Sequence, residues 1–124
     1  MSGNKFLIDT NIALYLLSGN KTIANILDGA DLYLSFISEL ELLGYKKITG
    51  KEHAILKKFI SNCIVIDINN EIKKNVVSIR QESNVKLPDA IIAGTAIFLA
   101  IPLLSADIDF KKVSGISLVL FEEI

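Results

Sequence analysis

The sequence is poor in the residues that most often carry catalysis and cross-linking. Of its 124 residues one is cysteine, Cys63, and one is histidine, His53. A single cysteine excludes an internal disulfide and any multi-cysteine zinc site, and a single histidine leaves no His pair for a metal or a proton shuttle. Any chemistry must therefore run on carboxylates, hydroxyls, amides or lysines. Proline is confined to Pro88 and Pro102, and no linker, low-complexity run or internal repeat breaks the chain, so a single domain over residues 1–124 is expected. Charge of one sign is lacking as well: thirteen Lys+Arg face fourteen Asp+Glu, a formal net charge of -1. That balance excludes a strongly basic nucleic-acid coat and an acidic tail, although a local patch can still meet a polyanion. Long apolar runs are also missing. Phe6-Leu7-Ile8 stops at Asp9, too short for a signal-peptide core, and the window from Ala90 to Leu104 carries Gly94, Thr95 and Pro102, where a membrane span needs roughly 20 apolar residues. The cytoplasm is the expected compartment, with no membrane partner.

What is present is alternation, in a chain that is 51% hydrophobic and 22% charged. Lys5 to Ile8 reads as a buried strand, Ile12 to Leu17 as a helix after the caps Thr10 and Asn11, and Thr22 to Leu27 as a second helix closed by Gly29. Leu32 to Phe36 is a strand, and Ser38 opens a helix to about Lys47. Gly50 to Ser61 is amphipathic, with Ala54, Ile55, Phe59 and Ile60 inward and its lysines outward. Cys63 to Ile68 is a β-branched strand, with Cys63 buried in it and His53 on the helix surface before it. Asn70 to Asn84 is a helix with Ile72, Val76, Val77 and Ile79 on its apolar side. Pro88 suits the first turn of a helix running to about Leu99. Short strands follow at Leu103-Leu104 and at Leu118 to Phe121. Strands alternating with helices imply an α/β sandwich with a mainly parallel sheet.

The acids fall where such a fold places ligands. Asp9 directly follows the first strand, Asp107 and Asp109 follow the Leu103-Leu104 strand, Asp89 lies in the first turn of the longest apolar helix, and Glu41 lies one turn into the helix after the second strand. In open α/β sheets ligands bind beyond the carboxyl ends of strands. Carboxylates crowded together repel unless a cation screens them, and an all-oxygen set favours Mg²⁺ or Mn²⁺. Such ions support phosphodiester hydrolysis by activating water and stabilising charge on the attacked phosphate. Taken singly, each acid also has a structural role open to it. Asp9 can cap a helix, Glu41 can close an S-x-x-E capping box with Ser38, Asp89 can complement a helix dipole, and Asp107 and Asp109 can form turns.

Four motifs in this order carry a family resemblance: Phe6-Leu7-Ile8-Asp9-Thr10-Asn11, then Leu34-Ser35-Phe36-Ile37-Ser38-Glu39-Leu40-Glu41-Leu42-Leu43-Gly44, then Leu87-Pro88-Asp89-Ala90-Ile91-Ile92-Ala93, then Leu103-Leu104-Ser105-Ala106-Asp107-Ile108-Asp109-Phe110. From Phe6 to Phe121 the chain resembles PIN-domain endoribonucleases, specifically the small VapC-type toxins of toxin–antitoxin pairs. The resemblance implies a PIN-like three-layer α/β/α sandwich. It also implies an endoribonuclease in which Mg²⁺ or Mn²⁺ on Asp9, Glu41, Asp89 and Asp107 serves hydrolysis, leaving 5′-phosphate and 3′-hydroxyl ends. Asp109 is the second choice to Asp107, and Glu41 is preferred to Glu39. Asn11 and Ser105 support the site by hydrogen bonding. The implied partners are an RNA substrate, a small antitoxin in a groove between the N-terminal helices, and a second copy in a homodimer. Ile12, Leu14, Tyr15, Leu16 and Leu17 supply more apolar surface than one buried face needs, so some can line that groove or simply pack the core.

RNA beside these acids needs cations. The densest basic stretch holds Lys46, Lys47, Lys51, Lys57 and Lys58, with Lys46, Lys47 and Lys51 as first candidates; Lys73, Lys74, Arg80 and Lys86 follow. Phosphate contacts of this kind position a strand without reading its sequence. With the five acids assigned to one site, nine acids remain against thirteen bases, and thirteen minus nine leaves +4 outside it. Two other readings compete. A non-catalytic PIN-like scaffold would show a missing acid. A receiver-like signalling domain would carry an acid beside Asp9, where Thr10 stands, and a phospho-acceptor after the third strand, where Asp67-Ile68-Asn69 lies apart from the other acids.

Overall fold

In a computed structural model the described residues are 4–46 and 48–122. Their elements run β1 (Lys5–Ile8), α1 (Thr10–Leu17), α2 (Lys21–Leu27), β2 (Asp31–Ser35), α3 (Phe36–Leu43), α4 (Gly50–Ser61), β3 (Ile64–Ile66), α5 (Asn70–Glu82), α6 (Leu87–Leu99), β4 (Leu103–Ser105), a 3₁₀ turn over Ile108–Lys112, and β5 (Leu118–Leu120). The five strands form one sheet in the order β3-β2-β1-β4-β5. Every pairing is parallel, with Leu7 opposite both Tyr33 and Leu103. Strands covered on both faces read as continuous apolar runs, and β1 and β4 show why. Leu7 and Leu103 point into a core built with α5 and α6, and Ile8 and Leu104 into a second core built with α1, α2 and α4. The architecture is therefore the expected three-layer α/β/α sandwich.

The order of connection places the site. From β1 the chain steps outward to β2 and β3, then crosses by α5 and α6 to β4 on the other side of β1. The switch point, where crevices open at the carboxyl edge of such sheets, thus lies between the ends of β1 and β4. The strand order also differs from the 2-1-3-4-5 order of receiver domains, which removes that alternative. α6 reaches this edge on a tight seat. A Cβ on Gly94 would lie 3.2 Å from Val76 Cγ2 and 3.3 Å from Asn75 Cβ, and Asn75 Nδ2 donates to the Gly94 carbonyl at 3.0 Å. Gly94 lets α5 and α6 approach to this distance.

Several local expectations give way to tertiary structure. α1 is capped by Asp9, whose side chain accepts from the Thr10 N–H, not by Thr10 or Asn11. α3 begins at Phe36, because the Ser35 hydroxyl accepts from the Ile37 N–H, and it ends before Gly44 instead of near Lys47. Ser38 lies buried inside that helix and is not its cap. α4 turns Leu56 and Ile60 into the core while Ala54 and Ile55 face outward. The residues 55/59 and 56/60 share the same i,i+4 spacing, and only the neighbouring elements decide between them. His53 is half-buried on that inner side instead of standing on the surface, and Cys63 is half-buried just ahead of β3 instead of within it. α5 buries Ile72, Val76 and Ile79 but leaves Val77 exposed, and it stops at Glu82.

Candidate functional site

The site grows from the end of β1. Asp9 is only 6% exposed, and both of its oxygens are satisfied by the protein. The Thr10 N–H donates to Oδ1 at 2.8 Å, and the Ser105 hydroxyl, at the end of β4, donates to Oδ2 at 2.7 Å. The same Ser105 oxygen accepts from the Asp107 N–H at 2.9 Å, and Asn11 Oδ1 accepts from the Ala106 N–H at 3.3 Å. One serine thus locks the first acid to the loop that carries the later ones. On the other flank the Thr10 hydroxyl donates to Glu41 Oε1 at 2.6 Å and hydrogen-bonds Ser38 Oγ at 3.0 Å. Glu41 is thereby a partner of the β1–α1 corner, and its capping-box role does not form. Glu39 is half-buried and, two residues before Glu41, lies about 200° around the helix from it.

A second group assembles from the start of α6 and the loop after β4. One carboxylate oxygen from each of Asp89, Asp107 and Asp109 lies within 4.8 Å of the others. Asp107 both caps the 3₁₀ turn and enters this cluster, its Oδ1 accepting from the Asp109 N–H at 2.9 Å. Asp109 meets Lys112 Nζ at 3.5 Å. Asp89 follows Pro88 in the first turn of α6, where the helix cap supplies no side-chain hydrogen bond. Among the described residues none donates a hydrogen bond to its carboxylate.

The electrostatics follow from this packing. Burial pushes the Asp9 carboxyl above its ordinary 3.8; the Ser105 and Thr10 hydrogen bonds pull it back, and the charges of Glu41 and Asp107 push it further up. Asp89 is pushed up to about 6, first by burial, then by the charges of Asp107 and Asp9, with Lys86 opposing and Asp109 adding. The five acids therefore feel one another across four chain segments. A divalent cation fits this donor set. All the donors are hard oxygens, five acids outnumber the two cations coupled to them, Lys86 and Lys112, and an octahedral Mg²⁺ with bonds of about 2.0–2.1 Å holds its ligand oxygens about 3–4 Å apart. The oxygens of Asp89, Asp107 and Asp109, all within 4.8 Å of one another, are compatible with that spacing.

Of the basic candidates, Lys46 is exposed on the connection from α3 into α4 and Lys51 is exposed in the first turn of α4, and Lys47 lies outside the described residues. The cations coupled to the acids are Lys86 and Lys112. Lys112 was not singled out from the sequence, and its signal is the i,i+3 spacing from Asp109. The sequence marks Thr10 and Ser38 as helix caps and not as a bridge to Glu41, because a hydroxyl that bridges two segments leaves no periodic mark. Beside α1, an apolar groove is lined by Leu14, Leu17, Tyr45, Ile48, Ile55 and Leu56. Ile12 does not reach it, being fully buried in the core. Tyr15 and Leu16 are half-buried against that core, and Tyr15 packs edge-on against Phe121 with ring centroids 5.4 Å apart.

Comparison with known proteins agrees with this fold. The PIN domain family profile matches residues 6–116. No curated protein matches the chain in sequence. Among solved structures, the chain is similar to one from a toxin–antitoxin complex of Klebsiella pneumoniae, with 32% identity, a TM-score of 0.81, and 95% of this chain and 98% of that one covered. It is also similar to one from VapBC2 of Rickettsia felis bound to a DNA fragment from its promoter, with 21% identity, a TM-score of 0.85 and coverage of 95% and 99%. A third is from the DNA-bound VapBC of Salmonella typhimurium, with 23% identity, a TM-score of 0.80 and coverage of 94% and 98%.

Proposed function

Because the chain belongs to the PIN domain family, we propose that it is a VapC-type toxin, a single-domain Mg²⁺- or Mn²⁺-dependent endoribonuclease held in check by a cognate antitoxin. The observation that carries this reading is the convergence of Asp9, Glu41, Asp89, Asp107 and Asp109 on one sheet edge, with Asp89 raised to about 6. Asp89, Asp107 and Asp109 hold the ion, and Asp9 and Glu41 complete the acidic wall. A divalent ion on these residues would supply water activation and charge stabilisation at the attacked phosphate. The chain's own residues keep the geometry. Ser105 ties Asp9 to the β4 loop, Asn11 holds that loop through Ala106, and Thr10 ties Glu41 to Asp9.

Exposed Lys46 and Lys51, with Lys47 next to Lys46 in the sequence, take backbone phosphates, and Lys86 and Lys112 are coupled to the acids. The apolar groove beside α1 receives the antitoxin, an assembly consistent with the toxin–antitoxin complex of the 32%-identical relative. The working form is a homodimer in the cytoplasm; no helix among the described residues is long and apolar enough to cross a membrane. A non-catalytic scaffold is the weaker reading, because no acid of the set is missing.

The test is cleavage of a structured RNA with Mn²⁺ or Mg²⁺. Cleavage should leave 5′-phosphate ends, stop with EDTA, and fall about a thousandfold in Asp9→Asn. Cleavage that survives either treatment overturns the mechanism.

A further inference from the structure

The geometry points to Thr10 as a positioning residue that sets the separation of Asp9 and Glu41 and so prepares the acidic wall for a cation; the inference rests on the metal-dependent reading above. Glu41 is exposed on α3, and a long carboxylate in that setting keeps most of its rotamer freedom unless something holds it. Thr10 is the opposite kind of residue. Its branched Cβ stiffens χ1, and it occupies the first position of α1, whose start is fixed by the Asp9 cap. Its two polar groups serve two acids. The backbone N–H donates to Asp9 Oδ1 at 2.8 Å, and the hydroxyl donates to Glu41 Oε1 at 2.6 Å. A charge-assisted bond of that length is among the stronger neutral-donor contacts. The hydroxyl is itself oriented, because fully buried Ser38, one helical turn before Glu41, lies 3.0 Å away. The three groups form a small latch between the β1–α1 corner and α3, and its only flexible member is the one carboxylate it captures. Removing the hydroxyl while keeping the shape frees Glu41 and leaves the Asp9 cap untouched.

The simpler alternative is that the latch only staples α1 to α3. The two roles separate by calorimetric titration of the metal-free chain with Mn²⁺ alone, alongside thermal melting, for wild type, Thr10→Val, Thr10→Ser, Glu41→Gln and the Thr10→Val/Glu41→Gln pair. Positioning predicts that Thr10→Val weakens Mn²⁺ binding about tenfold, that Thr10→Ser stays within about twofold of wild type, and that Thr10→Val adds less than about twofold once Glu41 is already Gln. Wild-type affinity in Thr10→Val, or an equal loss with and without the Glu41 carboxylate, overturns the inference. If Thr10→Val does not fold, Thr10→Ser and Glu41→Gln still decide it: loss of affinity in the serine variant contradicts a role for the hydroxyl. Failure of the wild-type chain to bind Mn²⁺ sinks the metal-dependent reading itself, a different result from binding that ignores Thr10.

Discussion

The two halves of the acidic edge are built on opposite terms. On the β1 side, Asp9 is buried and both of its oxygens accept hydrogen bonds from the protein, and Glu41 is held by Thr10. On the α6 side, Asp89 meets no donor among the described residues, and Asp107 and Asp109 face it within 4.8 Å. The first half spends its charge on protein donors and fixes geometry. The second leaves Asp89 without a donor and crowds three carboxylates against only Lys86 and Lys112, an excess of charge that an ion can take up. Acidity alone does not mark a cation seat; carboxylates crowded around an acid left without a donor, here Asp89, do.

The sharpest way to break this contrast is to remove a donor from the satisfied half. Ser105→Ala strips one hydrogen bond from buried Asp9 and the acceptor from the Asp107 N–H. Stability should fall by about 2 kcal/mol, or about 8 °C in Tm, in the metal-free protein. A thermal shift below about 2 °C would show that Asp9 does not depend on this partner.

Removing charge from the other half should act with the opposite sign. Asp89 titrates near 6 in the folded chain against an ordinary 3.8, so between those values the folded state binds more protons than the unfolded state. By linkage, metal-free stability falls as pH rises through that window, and the penalty is complete above about pH 6. Asp89→Asn should therefore be more stable than wild type at pH 7 by about 1 kcal/mol, a figure reduced for solvent screening at a partly exposed group, and the gain should vanish near pH 4. Denaturant midpoints across pH 4–8 measure both effects, and a variant less stable than wild type at pH 7 contradicts the sign. The smallest effect concerns the rim. Lys46→Ala and Lys51→Ala should each weaken RNA binding about two- to threefold and lower the salt slope by about one, without moving Mn²⁺ affinity. Binding isotherms at several salt concentrations test this.

Much of this architecture is legible in the residues. Leu7-Ile8 and Leu103-Leu104 announce strands buried on both faces, and Asp9, Asp89 and Asp107 stand beside unambiguous element boundaries. Other features depend on tertiary neighbours and leave no local trace. Ser35 and Ser38 are equally good caps by composition, and the helix starts at Phe36 because Ser35 ends a strand paired on both sides. Ile55 and Leu56 compete for the core at identical spacing, and Leu56 wins against the sheet. The division of labour among the acids is hidden for the same reason. Whether a carboxylate finds a donor depends on residues up to 96 positions away, as Ser105 is from Asp9.

The most direct test is the melting temperature of wild type and Asp89→Asn at pH 7, each without metal and with saturating Mn²⁺. A cation seat on the donor-poor half predicts an inversion. Without metal the variant melts higher, and with Mn²⁺ the wild type does, because only its intact cluster gains the binding free energy. An order that Mn²⁺ does not change would contradict the account.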